Sequence, residues 1–193
     1  MKYKDIIENI GQPILVKNHD VIISRVFQDI EFIKKNAQIS IHWSVGFLVE
    51  LNDNFVKFSS EYNSGLWDHP VVWARKHVEK IYELSPTNHV KKPINADEKL
   101  PQIVYIEWED SQTASAEIAT EKVLSRNKLK TLHTVGFLID KNAERIVLAE
   151  ELNLETNKAR TSQTIYPEFA NGMLYLSPSK EITAVQEPKE SET

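Results

Sequence analysis

The chain contains no cysteine, which excludes disulfide frameworks, thiolate nucleophiles and cysteine-held zinc together. Glycine is nearly as scarce: there are five in 193 residues, and none flanks a lysine in the spacing of a phosphate loop. No apolar run is long enough to span a bilayer. Acidic residues interrupt MKYKDIIENI where a secretory leader would carry its apolar stretch, so the cytoplasm is the expected location. Positive charge is short as well. With 23 Lys and Arg against 28 Asp and Glu, a net charge of −5 and a pI of about 5.7, the chain lacks the cationic excess used to neutralise many phosphates. Only a local basic patch is left as a route to nucleic acid.

What is present is a repetition. VGFLVELNDNFVKFSSEYN from Val45 is answered by VGFLIDKNAERIVLAEELN from Val135, an offset of 90 positions. The match runs without a gap from Gln12 against Gln102 to Asn63 against Asn153, and pairs Val16 with Ile106, Asn52 with Asn142 and Glu61 with Glu151. Further on the offset grows to 92, which sets YELSP at Tyr82 against LYLSP at Leu174. An internal duplication is the expected origin. It divides the chain into a first repeat over 1–86 with an N-terminal helix, a proline-punctuated linker over 87–100, a second repeat over 101–178 and a polar tail over 179–193 that is expected to be disordered.

Within each repeat the apolar periods predict strands. Ile14–Val16 and Ile103–Ile106 form short buried runs, ISIHWSVGFLVEL and TLHTVGFLID read as long second strands, and the polar turns LNDN and KNAE lead into FVKFSS and RIVLAE as hairpins. VVWARKHVEKIYEL and TIYPEFANGMLYL each read as strand, one tight turn, strand. Helical spacing in DVIISRVFQDIEFIKKN, behind Asp20, and the alanines and glutamates of TASAEIATEKVLSRN predict a helix between the first two strands of each repeat. Gly46 and Gly136, inside strands, predict a bulge or sharp bend, with Phe47 and Phe137 in the core or between the copies. The expected fold class is mainly β with helical insertions (α+β), arranged as two tandem small barrels.

Hairpin, variable loop, strand, short turn and strand, in that order, resembles the SH3-like and Sm-like small β-barrels, whose last two strands are joined by one helical turn. IVYIEWED, VGFLIDKNAERIVLAEELN and TIYPEFANGMLYL together resemble short proteins of phages and mobile elements. The first repeat departs from that pattern, with WARK in place of YPEF and KNHD in place of EWED. The resemblance implies a binding role and a shared fold, with the ligand of each copy left open.

Catalytic signatures are few. SRNK at Ser125 and SPSK at Ser177 fit Ser-x-x-Lys, a pattern too loose to assign a nucleophile. Glu107 and Glu109 share one face of a strand that ends at Asp110, where carboxylates can hold a divalent cation or act as acid and base; capping of the next segment by Asp110 is the plainer account. Trp108 then faces the core. Trp67, Asp68 and His69 lie in the loop before the fourth strand, where such barrels present binding residues, although Asp-His-Pro is also a good turn. Trp73, Arg75 and Lys76 form the one basic aromatic cluster, suited to phosphate or single-stranded RNA. His42, His77 and His133 follow no metal spacing and are expected to be structural.

The expected function is a non-enzymatic cytoplasmic binding or adaptor protein without a cofactor, acting on a protein partner or a small anionic ligand, with homo-oligomerisation left open by the duplication. An Sm-like RNA or nucleotide binder using Trp73, Arg75 and Lys76 is the alternative, and a metal-dependent hydrolase on Glu107, Glu109 and Asp110 is a remote one.

Overall fold

The computed structural model describes residues 3–21, 39–63, 65–68, 70–110 and 130–183. Asp20 and Val21, expected to open the first helical insertion, are strand instead and pair with Ser40 and Ile39; the rest of that insertion, the whole of the second, Ser125 and His69 lie outside the described residues. A short helix, α1 (Tyr3–Asn9), buries Ile6. It ends where the amides of Ile10 and Gly11 both donate to the Ile6 carbonyl, and Gly11 takes φ +136°, a backbone that side-chain-bearing residues rarely adopt.

Twelve strands follow: β1 (Pro13–Val21), β2 (Ile39–Leu51), β3 (Phe55–Ser59), β4 (Glu61–Asn63), β5 (Leu66–Asp68), β6 (Val71–Ala74), β7 (Val78–Pro86), β8 (Ile103–Asp110), β9 (Lys130–Lys141), β10 (Ile146–Asn153), β11 (Lys158–Ile165) and β12 (Ala170–Glu181). One-turn 3-10 helices at Arg75–His77 and Pro167–Phe169 join the last two strands of each half, as the tight turns predict.

The first half pairs in the order β7-β1-β2-β3-β6 and the second in the order β12-β8-β9-β10-β11. Two separate barrels are expected from the repeat; the described chain instead forms one twelve-stranded sheet. Within it β2, β1, β7, β12, β8, β9 and β10 close into a seven-stranded barrel drawn from both halves.

An odd ring cannot close with every neighbour antiparallel unless one strand serves two neighbours along the same edge. β10 does so. Its residues 146–149 pair with β9, and Glu151 and Leu152 then pair with Ser44 and Trp43 of β2, all on the edge opposite β11. The chain at residues 59–62 makes the matching exchange, since Ser59 pairs with Phe47 of β2 while Glu61 and Tyr62 pair with Thr134 and His133 of β9.

The 90-residue offset recurs in the bonding. Leu48 N donates to Gln12 O at 2.8 Å and Leu138 N to Gln102 O at 2.7 Å. Asn52 Oδ1 accepts from the amides of Asn54 and Phe55, as Asn142 Oδ1 does from Glu144 and Arg145. These asparagine turns fix both hairpins by bonding their own backbone two and three residues on.

Three cores result. Leu15, Trp43, Val45, Phe47, Tyr105, Val135 and Phe137 belong to a central core inside the shared barrel, joined by Ile6 of α1 and by Ile10 just after it. Ile14, Val16, Val56, Phe58, Val78 and Ile81 form a core of the first half, and Val104, Ile106, Trp108, Leu132, Ile146, Leu148 and Ile165 one of the second. β1 and β8 therefore carry unbroken apolar runs because both of their faces are buried.

Three local expectations need correction. A Cβ on Gly46 would lie 2.8 Å from the Phe58 ring and from Ser59 O, and one on Gly136 would lie 2.9 Å from Leu148 Cβ. Close approach across the hairpin demands glycine there, and the register shift falls between Leu48 and Glu50. The 87–100 segment is no bare spacer, since Ile94, Ala96 and Leu100 pack on the central core and Ile94 N donates to Pro178 O at 2.9 Å. Finally, β12 continues past Pro178 to Glu181 along β7, with a register shift between Pro178 and Lys180 where the proline has no N–H to give. Ile182 then packs on the first-half core.

Candidate binding sites

The residues singled out in the sequence do not meet on one surface. Trp67 turns into the central core, its ring 4.8 Å from Tyr62 and 6.0 Å from Phe47, while the neighbouring Asp68 is exposed. Trp73 packs on the first-half core, and Arg75 and Lys76 stand at the 3-10 turn beside the Asn54 hairpin, where Arg75 N donates to Asn54 O. Both tryptophans spend their ring faces on packing, so neither is offered as a stacking platform.

Glu107 and Glu109 are half-buried on one face of β8, and Asn171 Nδ2 donates to Glu109 at 3.3 Å. Among the described residues no three His, Asp or Glu gather as metal ligands do. Glu107 instead faces the pair Tyr105 and His133, whose Oη and Nδ1 lie 2.8 Å apart. Burial, with the Glu107 carboxylate adding to it, pushes the Tyr105 phenol up; burial pushes the His133 imidazole down against the pull of Glu107. Tyr105 therefore keeps its proton, and its hydroxyl shares one hydrogen bond with His133 Nδ1. Trp108 is buried, as expected, and its Nε1 donates to Thr134 Oγ1 at 3.0 Å.

Two cavities stand out. The larger, about 700 Å³, lies between the 87–102 segment and β12. Ile94, Leu100, Leu174 and Leu176 give it apolar walls, Asn95 and Gln102 give it amides, and Asp97 is the only charged one among the described residues that line it. Asp97 Oδ1 accepts from Lys99 N at 3.0 Å, which fixes the carboxylate at the bend of the segment.

The smaller cavity, about 130 Å³, lies at the polar end of the first-half core, lined by Ser44, Ser60, Trp73, Glu150, Glu151 and Arg160 among others. Glu151 leads into a chain of buried polar groups. Thr156 N donates to Asn153 Oδ1, which turns the Asn153 amide nitrogen toward His42 Nε2 at 3.2 Å. Nε2 is thus the acceptor and takes a second bond from Ser40 Oγ at 2.6 Å, while Nδ1–H donates to Glu151 Oε1 at 2.7 Å. Arg160 Nη1 adds a contact to the same carboxylate oxygen at 3.2 Å.

No family model, curated protein or solved structure matches this chain. Its chemistry rests on geometry alone. Hydroxyl, imidazole and carboxylate in this order match the arrangement of serine hydrolases. Ser40, however, is only 3% exposed, and Asn153 shares the base nitrogen that would take its proton. The set ties β2 to β10 rather than presenting a nucleophile.

The polar cluster was missed in the sequence. A signal for it exists in ISIHWSV, where Ser40, His42 and Ser44 alternate on one strand face, against Lys130, Leu132 and Thr134 in the second half.

Proposed function

We propose that the chain is a non-enzymatic binding protein made of two SH3-like halves that arose by internal duplication, and that it binds an extended segment of a protein partner. Each half orders its strands fifth, first, second, third, fourth around a 3-10 turn, and the same asparagine turns recur at the same offset; both support the duplicated SH3-like reading. The binding role rests on one observation: the 700 Å³ cleft between the 87–102 segment and β12, apolar in its walls and furnished with a few fixed polar groups.

The charge of the lining sets the partner's chemistry. Asp97 is the only charged one among the described lining residues, which favours a segment with apolar side chains and one lysine or arginine over the small anion left open in the sequence. Methyl resonances of Ile94, Leu100 and Leu176 are expected to shift saturably with an apolar hexapeptide containing one lysine. The same peptide carrying glutamate should bind more weakly, and Asp97→Lys should invert the order. Equal, unsaturated shifts with both peptides at millimolar concentration would remove the reading.

RNA binding is the second reading, and one observation favours it: Arg75, Lys76 and His77 are consecutive in a turn whose Lys76 and His77 are exposed. Affinity for a single-stranded oligonucleotide should then fall steeply with salt and vanish in Arg75→Ala with Lys76→Ala. No helix among the described residues is long and apolar enough to cross a membrane.

A further inference from the structure

The two halves meet along a pseudo-twofold axis, and only one side of it is complete. β7 and β12 pair through Ser85 with Ser177, flanked by Leu84 with Pro178 and by Pro86 with Leu176. An offset of 92 turns each flanking pair into the other, so the contact is the same seen from either half. The neighbouring strands match as well. β1 meets β7 in the register Ile14 with Glu83, Leu15 with Tyr82 and Val16 with Ile81, and β8 meets β12 in the register Val104 with Tyr175, Tyr105 with Leu174 and Ile106 with Met173.

Past the axis the halves part. In the first half the chain beyond Pro178 runs on along β7: Lys180 pairs with Glu83, Glu181 with Tyr82, and Ile182 N donates to Ile81 O at 2.8 Å. Lys180 Nζ reaches the Glu83 carboxylate at 3.1 Å, and Ile182 packs on the first-half core. β7 at residues 81–83 is therefore flanked on both edges. In the second half the chain beyond Pro86 turns away through a 3-10 helix at Thr87–His89. The edge of β12 at residues 173–175, opposite β8, is left without a strand partner among the described residues.

The side chains record the gap. Ile81 and Tyr82 are buried, whereas Met173 and Leu174 in the same places are only partly buried and Tyr175 is 40% exposed. Where the first half holds Glu83 against a lysine, the second offers an aromatic ring. The cleft of about 700 Å³ lies here, lined by residues 173–176 of β12 together with residues 94–97. A strand edge presents unpaired N–H and C=O groups to any chain that can lie beside it.

Building on the proposed binding of an extended protein segment, we infer that this segment joins the sheet as an added β-strand, antiparallel to β12, in the place that residues 180–182 fill beside β7. The matching registers turn the Met173 carbonyl toward the cleft as the Ile81 carbonyl is turned toward Ile182, and it receives a backbone N–H of the partner. The partner residue beside Tyr175 is apolar, in contrast to Lys180 beside Glu83, and the residue two further on is aliphatic, as Ile182 is. The partner's chain runs from Tyr175 toward Gly172. Main-chain bonds of this kind supply affinity, and the alternate side chains supply specificity.

The test uses the whole chain, labelled with 15N and 13C, and the peptide acetyl-Ala-Phe-Ala-Ile-Ala-Lys amide, made also in forms that each carry one N-methyl group on a backbone nitrogen. The parent peptide should bind saturably, and methylation at every second residue should weaken it about tenfold or more, because each lost bond also leaves an acceptor unpaired. The Leu174 Hα should show a cross-peak to a peptide Hα, since facing Cα atoms lie about 4.5 Å apart in a non-hydrogen-bonded antiparallel pair. Saturable binding with a uniform response to methylation, or without that cross-peak, overturns strand addition and leaves a groove that reads side chains alone, with the wider peptide-binding reading intact. No saturable binding of the parent peptide removes both.

Discussion

Ser60 and Glu150 occupy equivalent places in the two halves, 90 residues apart, and they bond to each other: the Ser60 hydroxyl donates to the Glu150 carboxylate. The contact lies where the chain from β3 to β4 and the strand β10 exchange neighbours, so it reports directly on the joining of the halves. Ser60 is buried, and a charge-assisted bond in that setting contributes about 1.5–3 kcal/mol. Ser60→Ala and Glu150→Gln should each lower stability, and urea unfolding of both singles and the double should give a coupling energy of about 1 kcal/mol or more. Additive effects would mean that the bond does not hold the halves together.

The central core draws residues from both halves, with Phe47 and Phe137 each fully buried. Phe47→Ala and Phe137→Ala should each cost about 3–5 kcal/mol. Calorimetry should show one transition for the whole chain, and residues 1–100 or 101–193 made alone should not fold. Two resolved transitions, or a folded isolated half, would contradict the shared barrel.

Crowding at Gly46 gives a third expectation. Gly46→Ala should destabilise by about 1–3 kcal/mol because backbone and ring must move aside. Gly172→Ala, with nothing within 4 Å of the added methyl, should be close to neutral. Similar losses at both sites, measured by thermal melting, would show that crowding is not the reason for Gly46.

The Tyr105–His133 pair makes stability depend on pH. Burial holds the folded-state pKa of His133 below its ordinary 6.5, so below that value the unfolded chain takes up protons that the folded chain refuses. The contribution of His133 is whole above its unfolded pKa and is lost as pH falls from the mid-sixes toward its folded pKa. Melting temperatures of wild type should therefore fall more steeply than those of His133→Gln between pH 7.5 and 5.5; parallel curves would refute the assignment.

Much of the fold is legible in the sequence because local chemistry decides it. Asn52 and Asn142 bond their own turns, and the runs at Ile14–Val16 and Ile103–Ile106 are apolar on both faces because each strand lies between two cores. The closure of the barrel is not legible. It depends on Glu151 and Leu152 meeting Ser44 and Trp43, a choice between two near-identical β2 and β9 edges that no local pattern encodes. The candidate sites fare worse, for a physical reason: Trp67 and Trp73 look like ligand platforms as letters, yet their apolar rings are worth more inside the protein. The buried polar cluster shows itself only when His42 is set against Leu132.

The exchange of neighbours along β10 has a consequence for synthesis. While the first half leaves the ribosome, the β2 edge at Trp43 and Ser44 has no strand to meet until residues 151 and 152 emerge, and at about 5–20 residues per second that delay lasts roughly 5–20 seconds. Folding of this chain is therefore completed from its far end, and throughout that interval the nascent first half carries an unpaired edge and an open apolar face into a crowded cell.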